Sequence, residues 1–320
     1  MFLSGKIAGD FRKKHILSIS QFDQASIAKL FKKTDWILSR VKRKKDLDIL
    51  KRSVATLLFF EPSSRTFGSF SSAIQRLGGK TIDVQNATQF SATAKGESLS
   101  DTIKTFEAYS DLIVIRHPQV GSALQAAEAT TKALIINAGD GGDEHPTQTL
   151  LELYTINKHF KRLNNLVCVV STDPLHSRTI KTFVRGLALY PNNTVYFFSP
   201  KKLHPDKLFK DELLKKGVIV KEISEVNEIP KNADIWYWNR LQKERLKGMN
   251  ISQKELKKYV LTLDLLKKRG NKNMIIMNPL PRVEEIDKKV DSDPRTVYFE
   301  EMNNGLYVRM ALVGLVLGKL

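Results

Sequence analysis

Cysteine is almost missing from this 320-residue chain: Cys168 is the only one, so no disulfide can form within it. A reducing compartment suits such a chain, and the cytoplasm is the expected location. Cys168 itself lies in the apolar run LVCVV and reads as inert core. Histidine is scarce too, six in all, and no pair of His or Cys has metal-ligand spacing; no metal or other cofactor is expected. No serine has a nearby histidine with an acidic partner, which argues against covalent catalysis. Long apolar runs are also lacking. The most apolar tail, 306–317, is too short and interrupted to span a bilayer, and MFLSGKIAGDFRKK lacks the apolar stretch of a secretory leader. No membrane partner is expected.

Acid is outnumbered: 34 Asp and Glu face 52 Lys and Arg, a formal net charge of +18. Such a charge admits nucleic acid, acidic headgroups or small anionic substrates as partners. The lysines are spread along expected helices and their ends, clustering only at 42–45 and 267–269. Neither a recognition motif nor aromatic-basic alternation accompanies them. They read as a solvated surface, and a nucleic-acid partner is not expected.

What is present is an alternation of short apolar runs with segments of helical period. A helix is expected over 20–41. Strands are expected at 54–60, 81–84, 111–115, 133–136, 166–170, 195–198, 218–220, 235–238 and 274–277. Helices fall between them, near 101–109, around Leu124 and Ala127, at 146–160, 178–189, 205–216 and 253–260, and in part from Pro294 onward. The segment 86–98 and the Gly/Asp-rich 137–144 read as loops. A last helix over about 304–317 is apolar nearly all round and should be buried. This pattern predicts an α/β protein of two domains, each a mostly parallel sheet flanked by helices.

The chain is organised around VATLLFFEPSSRTFGSFSSAIQRL, residues 54–77. Its apolar opening reads as a strand buried on both faces. Pro62 ends it, and Phe67, Phe70, Ile74 and Leu77 then mark one face of a helix. Ser63, Ser64, Arg65 and Thr66 fall where strand becomes helix, over unpaired N–H groups at the positive end of the helix dipole. That is an anion site suited to phosphate. The same residues taken alone also fit a Ser/Thr N-cap beside a surface arginine.

Other polar residues fall at, or one loop beyond, the C-terminal ends of expected strands: Arg116, His145, Arg178, Arg240 and Asn278–Arg282. Open α/β sheets bind ligands along that edge. Arginine's planar fork suits phosphate and carboxylate. His145 and Gln148, three apart at a helix start, share a face. A histidine there tends to stay neutral and can donate to a carbonyl oxygen. The set binds anions and polarises a group without supplying a nucleophile.

FFEPSSRTFGSF, AKGESLSDT, VIRHPQ, HPTQTLLELYTI, SRT at 177–179, NRLQKER and NPLPRVEEI together resemble the aspartate carbamoyltransferase catalytic chain. They keep that family's order and spacing from about residue 15 to the C-terminus. The resemblance implies the aspartate/ornithine carbamoyltransferase fold: a carbamoyl-phosphate domain over 1–148, an aspartate domain over 149–303, and a terminal helix, about 304–320, packed back on the first. It implies transfer from carbamoyl phosphate to L-aspartate, giving N-carbamoyl-L-aspartate and phosphate in pyrimidine synthesis. By match, Ser63, Ser64, Arg65 and Thr66 hold the phosphate. Thr66, Arg116 and His145 face the carbamoyl oxygen, and Gln148 with the Leu280 carbonyl, beside Pro281, takes the carbamoyl NH2. Lys95, Arg178, Arg240 and Gln242 match the aspartate-binding set. Ser91 and Lys95 match a loop that enters a neighbouring subunit's site, which implies a homotrimer; regulatory chains are further partners that the resemblance admits. Glu61 matches a residue that pairs with Arg178 and Arg245 when the domains close.

Some positions depart from the family pattern. Asn278 stands for a usual His, Phe67 for an Arg, Ser64 for a Thr, Ala94 for a basic residue and Ser177 for a Gly. A D-x-x-x-S-M-G segment, which the ornithine branch uses, is absent. An ornithine-type transferase, or an inactive nucleic-acid-binding homologue, is therefore the lesser reading.

Overall fold

A computed structural model describes residues 5–87, 96–142, 144–242 and 251–320. The chain forms two compact units, Met1–Tyr154 with Asn303–Leu320, and Thr155–Met302. Among the described residues no helix is long and apolar enough to cross a membrane.

The first unit begins with α1 (Gln24–Lys42), whose N-cap Asp23 accepts from the Ser26 N–H while Ser26 returns a bond to Asp23. Strand β1 (Val54–Phe59) leads to α2 (Ser64–Arg76), β2 (Lys80–Gln85), α3 (Leu99–Glu107), β3 (Leu112–His117), α4 (Ser122–Ala129), β4 (Leu134–Asp140) and α5 (Pro146–Phe160). The four strands are parallel in the order β2-β1-β3-β4. Every residue of β1 after Val54 is buried, because helices cover both faces of a parallel sheet. The chain leaves β1 toward β2 and returns to its other side as β3, so a ligand crevice opens between the tips of β1 and β3.

The second unit holds β5 (Val167–Ser171), α6 (Arg178–Leu187), β6 (Thr194–Phe198), α7 (Lys207–Lys215), β7 (Ile219–Ile223), β8 (Ile235–Trp238), α8 (Gln253–Leu256), α9 (Leu263–Arg269) and β9 (Ile275–Met277). Its parallel order is β7-β6-β5-β8-β9, with the direction reversing between β5 and β8. Strand β8 is aromatic throughout its last three residues. Trp236 and Trp238 enter a core with Phe198, Tyr259, Ile276 and Tyr298, while Tyr237 stacks on Phe183 of α6 at 4.3 Å. Buried rings contribute the most apolar area per residue, so they fix where the tip of β8 ends. The last helix, α10 (Tyr298–Val316), passes from the second unit into the first.

Three details differ from expectation. Residues 137–140 extend β4 rather than opening a loop, and Asn137 secures the start of that extension by donating to the Leu17 carbonyl at 2.8 Å. Helix α9 was not foreseen, since LDLLKKR is too short to show a period. Strand β7 runs to Ile223, past an exposed Lys221 and Glu222 that an edge strand tolerates.

Candidate active site

In the first unit the sequence candidates gather at one sheet edge. Ser63 takes the N-cap position of α2, yet its side chain makes no capping bond. Among the described residues the hydroxyls of Ser63, Ser64 and Thr66 have no hydrogen-bond partner in the chain. The alternative of a plain Ser cap is thereby excluded. The first N–H groups of α2 are orphans of helix geometry, so donors and hydroxyls stand together at this helix start without a partner among the described residues. Arg65 is partly desolvated, and that burial pushes its guanidinium below the usual arginine value. Phe67, in place of the family's arginine, packs edge-on against Phe59 of β1 at 5.3 Å, so packing replaces an ionic tie.

Arg116 lies opposite Phe59 in the β1–β3 register, and its carbonyl accepts from the Phe60 N–H at 2.8 Å. Its guanidinium bonds the Ala138 carbonyl at 3.4 Å and pairs with Glu61 at 2.7 Å. Glu61 is thus engaged within its own unit; Arg245, its expected partner along with Arg178, lies outside the described residues, as do Ser91 and Lys95. An anion binding at Arg116 competes with Glu61 or shares the fork.

His145 is buried just before α5, whose first residue is Pro146, a position where a missing N–H costs nothing. Its Nδ1 lies 3.5 Å from the Thr147 hydroxyl. The approach of the β4–α5 loop requires Gly141: its φ is +49°, and a Cβ there would lie 2.6 Å from the Val120 nitrogen. Gln148 follows one turn into α5, and its Nε2 donates to the buried Glu152 carboxylate at 3.0 Å. Glu152 was missed in the sequence, though its i+4 spacing from Gln148 was there to see.

In the second unit Arg178, Arg240 and Gln242 follow β5 and β8, neighbours at the switch in strand order. Arg178 opens α6, which is capped by Ser177 accepting from the Ile180 N–H at 3.3 Å. Asn239, also missed, ties these elements together. Its Nδ2 donates to Ser177 Oγ at 2.5 Å and to Thr179 Oγ1 at 2.6 Å, while its Oδ1 accepts from the Arg240 N–H at 2.7 Å. The Ser that replaces the family's Gly therefore joins the two strand tips that carry Arg178 and Arg240. Gln242 reaches the His176 carbonyl at 3.5 Å. Arg240 also lines a cavity of ≈ 330 Å³ with Thr172, Leu256, Tyr259 and Val283.

Beyond β9 the Leu280-Pro281 peptide is cis. Asn278 holds this turn: its Oδ1 accepts from the Leu280 N–H at 2.6 Å, and its Nδ2 donates to the Trp238 carbonyl and to Glu285. The departure from His keeps the loop tied to β8. Arg282, by contrast, is turned toward Asp291 and the Tyr298 hydroxyl, and so serves structure rather than the ligand edge. Asp291 is held below the usual carboxylate range by that guanidinium.

Residues 14–158 match the family described as aspartate/ornithine carbamoyltransferase, carbamoyl-P binding domain, and residues 164–316 match its Asp/Orn binding domain. The multifunctional protein pyr1-3 of Dictyostelium discoideum is 44% identical over 306 residues, 95% of this chain. The chain spans 14% of that protein's length. The aspartate carbamoyltransferase catalytic subunit of Buchnera aphidicola is 41% identical over 305 residues, covering 95% of this chain and 96% of its own. A solved structure of aspartate transcarbamoylase from Trypanosoma cruzi in complex with carbamoyl phosphate aligns with a TM-score of 0.90 and 32% identity, over 98% of each chain. Both domain families matched in order, together with relatives of this identity along nearly the whole chain, establish that it belongs to the aspartate carbamoyltransferase family.

Proposed function

We propose that the protein transfers the carbamoyl group of carbamoyl phosphate to the amine of L-aspartate, releasing N-carbamoyl-L-aspartate and phosphate, as a step of pyrimidine synthesis in the cytoplasm. The observation that carries this reading is the start of α2, where three hydroxyls meet no partner among the described residues and the first N–H groups are orphans of helix geometry. Ser63, Ser64, Arg65, Thr66 and Arg116 hold the phosphate. Thr66, Arg116 and His145 donate to the carbamoyl oxygen, whose negative charge grows as the amine attacks. Gln148 and the Leu280 carbonyl, beside Pro281, accept from the carbamoyl NH2. Lys95, Arg178, Arg240 and Gln242 grip the two carboxylates of aspartate.

The amine forms the new C–N bond as the C–O bond to phosphate breaks, and the departing phosphate takes the amine proton. Orientation and charge complementarity do the work, so no enzyme nucleophile is required. Closure of the two domains, with Glu61 moving to Arg178 and Arg245, removes water and strengthens each charge interaction. Ser91 and Lys95 reach the site of a neighbouring copy, so the active form is a homotrimer.

A colorimetric assay of carbamoyl-aspartate formation, with ornithine as a parallel acceptor, tests the proposal. Rapid product from aspartate and none from ornithine is the expected outcome. Citrulline formation, or no turnover with either amine, would overturn it.

A further inference from the structure

Glu152 takes no part in the chemistry proposed above, yet it is fully buried on α5, one turn beyond Gln148. An exposed Gln–Glu pair at this spacing would be an ordinary helix-surface contact. Here Gln148 is 7% exposed and Glu152 is 0% exposed, and burying a carboxylate is costly unless it has a defined partner. Gln148 Nε2 donates to Glu152 Oε1 at 3.0 Å.

A glutamine amide has a donor arm and an acceptor arm, and a half turn of its last torsion exchanges them. A carboxylate only accepts, so it fixes which arm faces it. With Nε2 committed to Glu152, Oε1 is the arm left over, and among the described residues nothing donates to it. An amide turned the other way would offer N–H to the ligand and favour an oxygen or a carboxylate in that place.

We propose that Glu152 is a specificity-determining positioning residue. By holding the Gln148 amide in one orientation, it makes the site select an acyl phosphate bearing an N–H donor over one bearing a methyl. Amino and methyl groups are nearly equal in size, so shape alone cannot separate them. An acceptor buried against a methyl loses its hydrogen bond with no compensation. This inference rests on the proposed role of Gln148 toward the carbamoyl NH2.

The test uses two stable phosphonates that differ only at that group, phosphonoacetamide and its methyl ketone isostere acetonylphosphonate. Calorimetry gives the dissociation constant of each, and of inorganic phosphate, for the full chain and for Glu152→Met. The wild-type protein should prefer the amide by roughly tenfold or more, from the hydrogen bonds its NH2 gives to Gln148 and the Leu280 carbonyl. Glu152→Met should lose the share of that preference that Gln148 supplies, about threefold or more, while its phosphate affinity stays within about twofold, since no phosphate contact is touched. A merely structural role for Glu152 would instead weaken all three ligands together. Undiminished preference in a variant that still binds phosphate would overturn the proposal. Should Glu152→Met fail to fold, Glu152→Gln preserves the volume and leaves both amide orientations open. Its preference should fall by about twofold or more, and an unchanged value overturns the proposal equally. If the wild-type protein bound neither phosphonate, the carbamoyl-phosphate reading itself would fall instead.

Discussion

His145 and Arg240 should fail in different ways when truncated, because they meet the substrates at different stages. In the proposed reaction His145 faces an oxygen whose charge grows only as the reaction proceeds. His145→Ala should lower kcat by about 100- to 1000-fold, the usual cost of one oxyanion donor, with little change in the KM for aspartate. In the same proposal Arg240 faces a carboxylate that is charged before and during reaction. Arg240→Ala should raise the aspartate KM by roughly 10- to 100-fold and leave kcat much less affected. Steady-state kinetics on both variants separates the two, and an unchanged aspartate KM in Arg240→Ala would remove aspartate from that guanidinium. His15 bears on stability. It is buried, its Nδ1 accepts from the Ile135 N–H at 3.0 Å, and burial lowers its pKa from 6.5 to about 4. The unfolded chain binds the proton first as pH falls, so His15 favours the folded state fully above about pH 6.5 and progressively less toward pH 4. With solvent screening allowed for, the loss should be about 2 kcal/mol. Urea midpoints measured from pH 7 to 4 should slope less in His15→Asn, whose side-chain oxygen can accept the same bond. Equal slopes would rule His15 out as the source.

At the level of elements, the junction of α6 and β8 depends on one hydroxyl. Ser177 caps α6 and also accepts from Asn239 at the tip of β8. Ser177→Ala should cost about 1 kcal/mol for the cap, and more if Asn239 is left with Thr179 alone. A fall in Tm of about 2–4 °C per kcal/mol is the expected reading, and no fall would mean the cap is dispensable. Elements of this kind were legible to different degrees in the sequence. Strands β1, β3, β5 and β8 stand out because parallel sheets bury both faces and leave continuous apolar runs. Strand β7 lies at an edge and carries Lys221 and Glu222, so its pattern ends early. The Gly/Asp composition of 137–140 looks like a loop, yet Asn137 bonds to the Leu17 carbonyl 120 residues away and keeps it in the sheet. The ligand-edge residues were legible because they follow strands. Glu152 and Asn239 were not, because their function is to hold other side chains, and no local pattern marks a partner of that sort.

At the level of the assembled molecule, the proposed trimer makes a numerical prediction. In that proposal His145 comes from one copy and Lys95 from its neighbour, so each site would need one intact residue from each of two chains. His145→Ala and Lys95→Ala homotrimers should each be nearly inactive. Denatured together in equal amounts and refolded, the chains assort at random around a three-fold ring. A site is then intact only when its own chain carries the Lys95 variant and the neighbour carries the His145 variant, with a probability of about one in four. Recovered activity near that fraction of wild type, from two inactive parents, is expected in the carbamoyl-aspartate assay. Sites built wholly from one chain would give no recovery at any mixing ratio, since every chain would then carry a defect of its own.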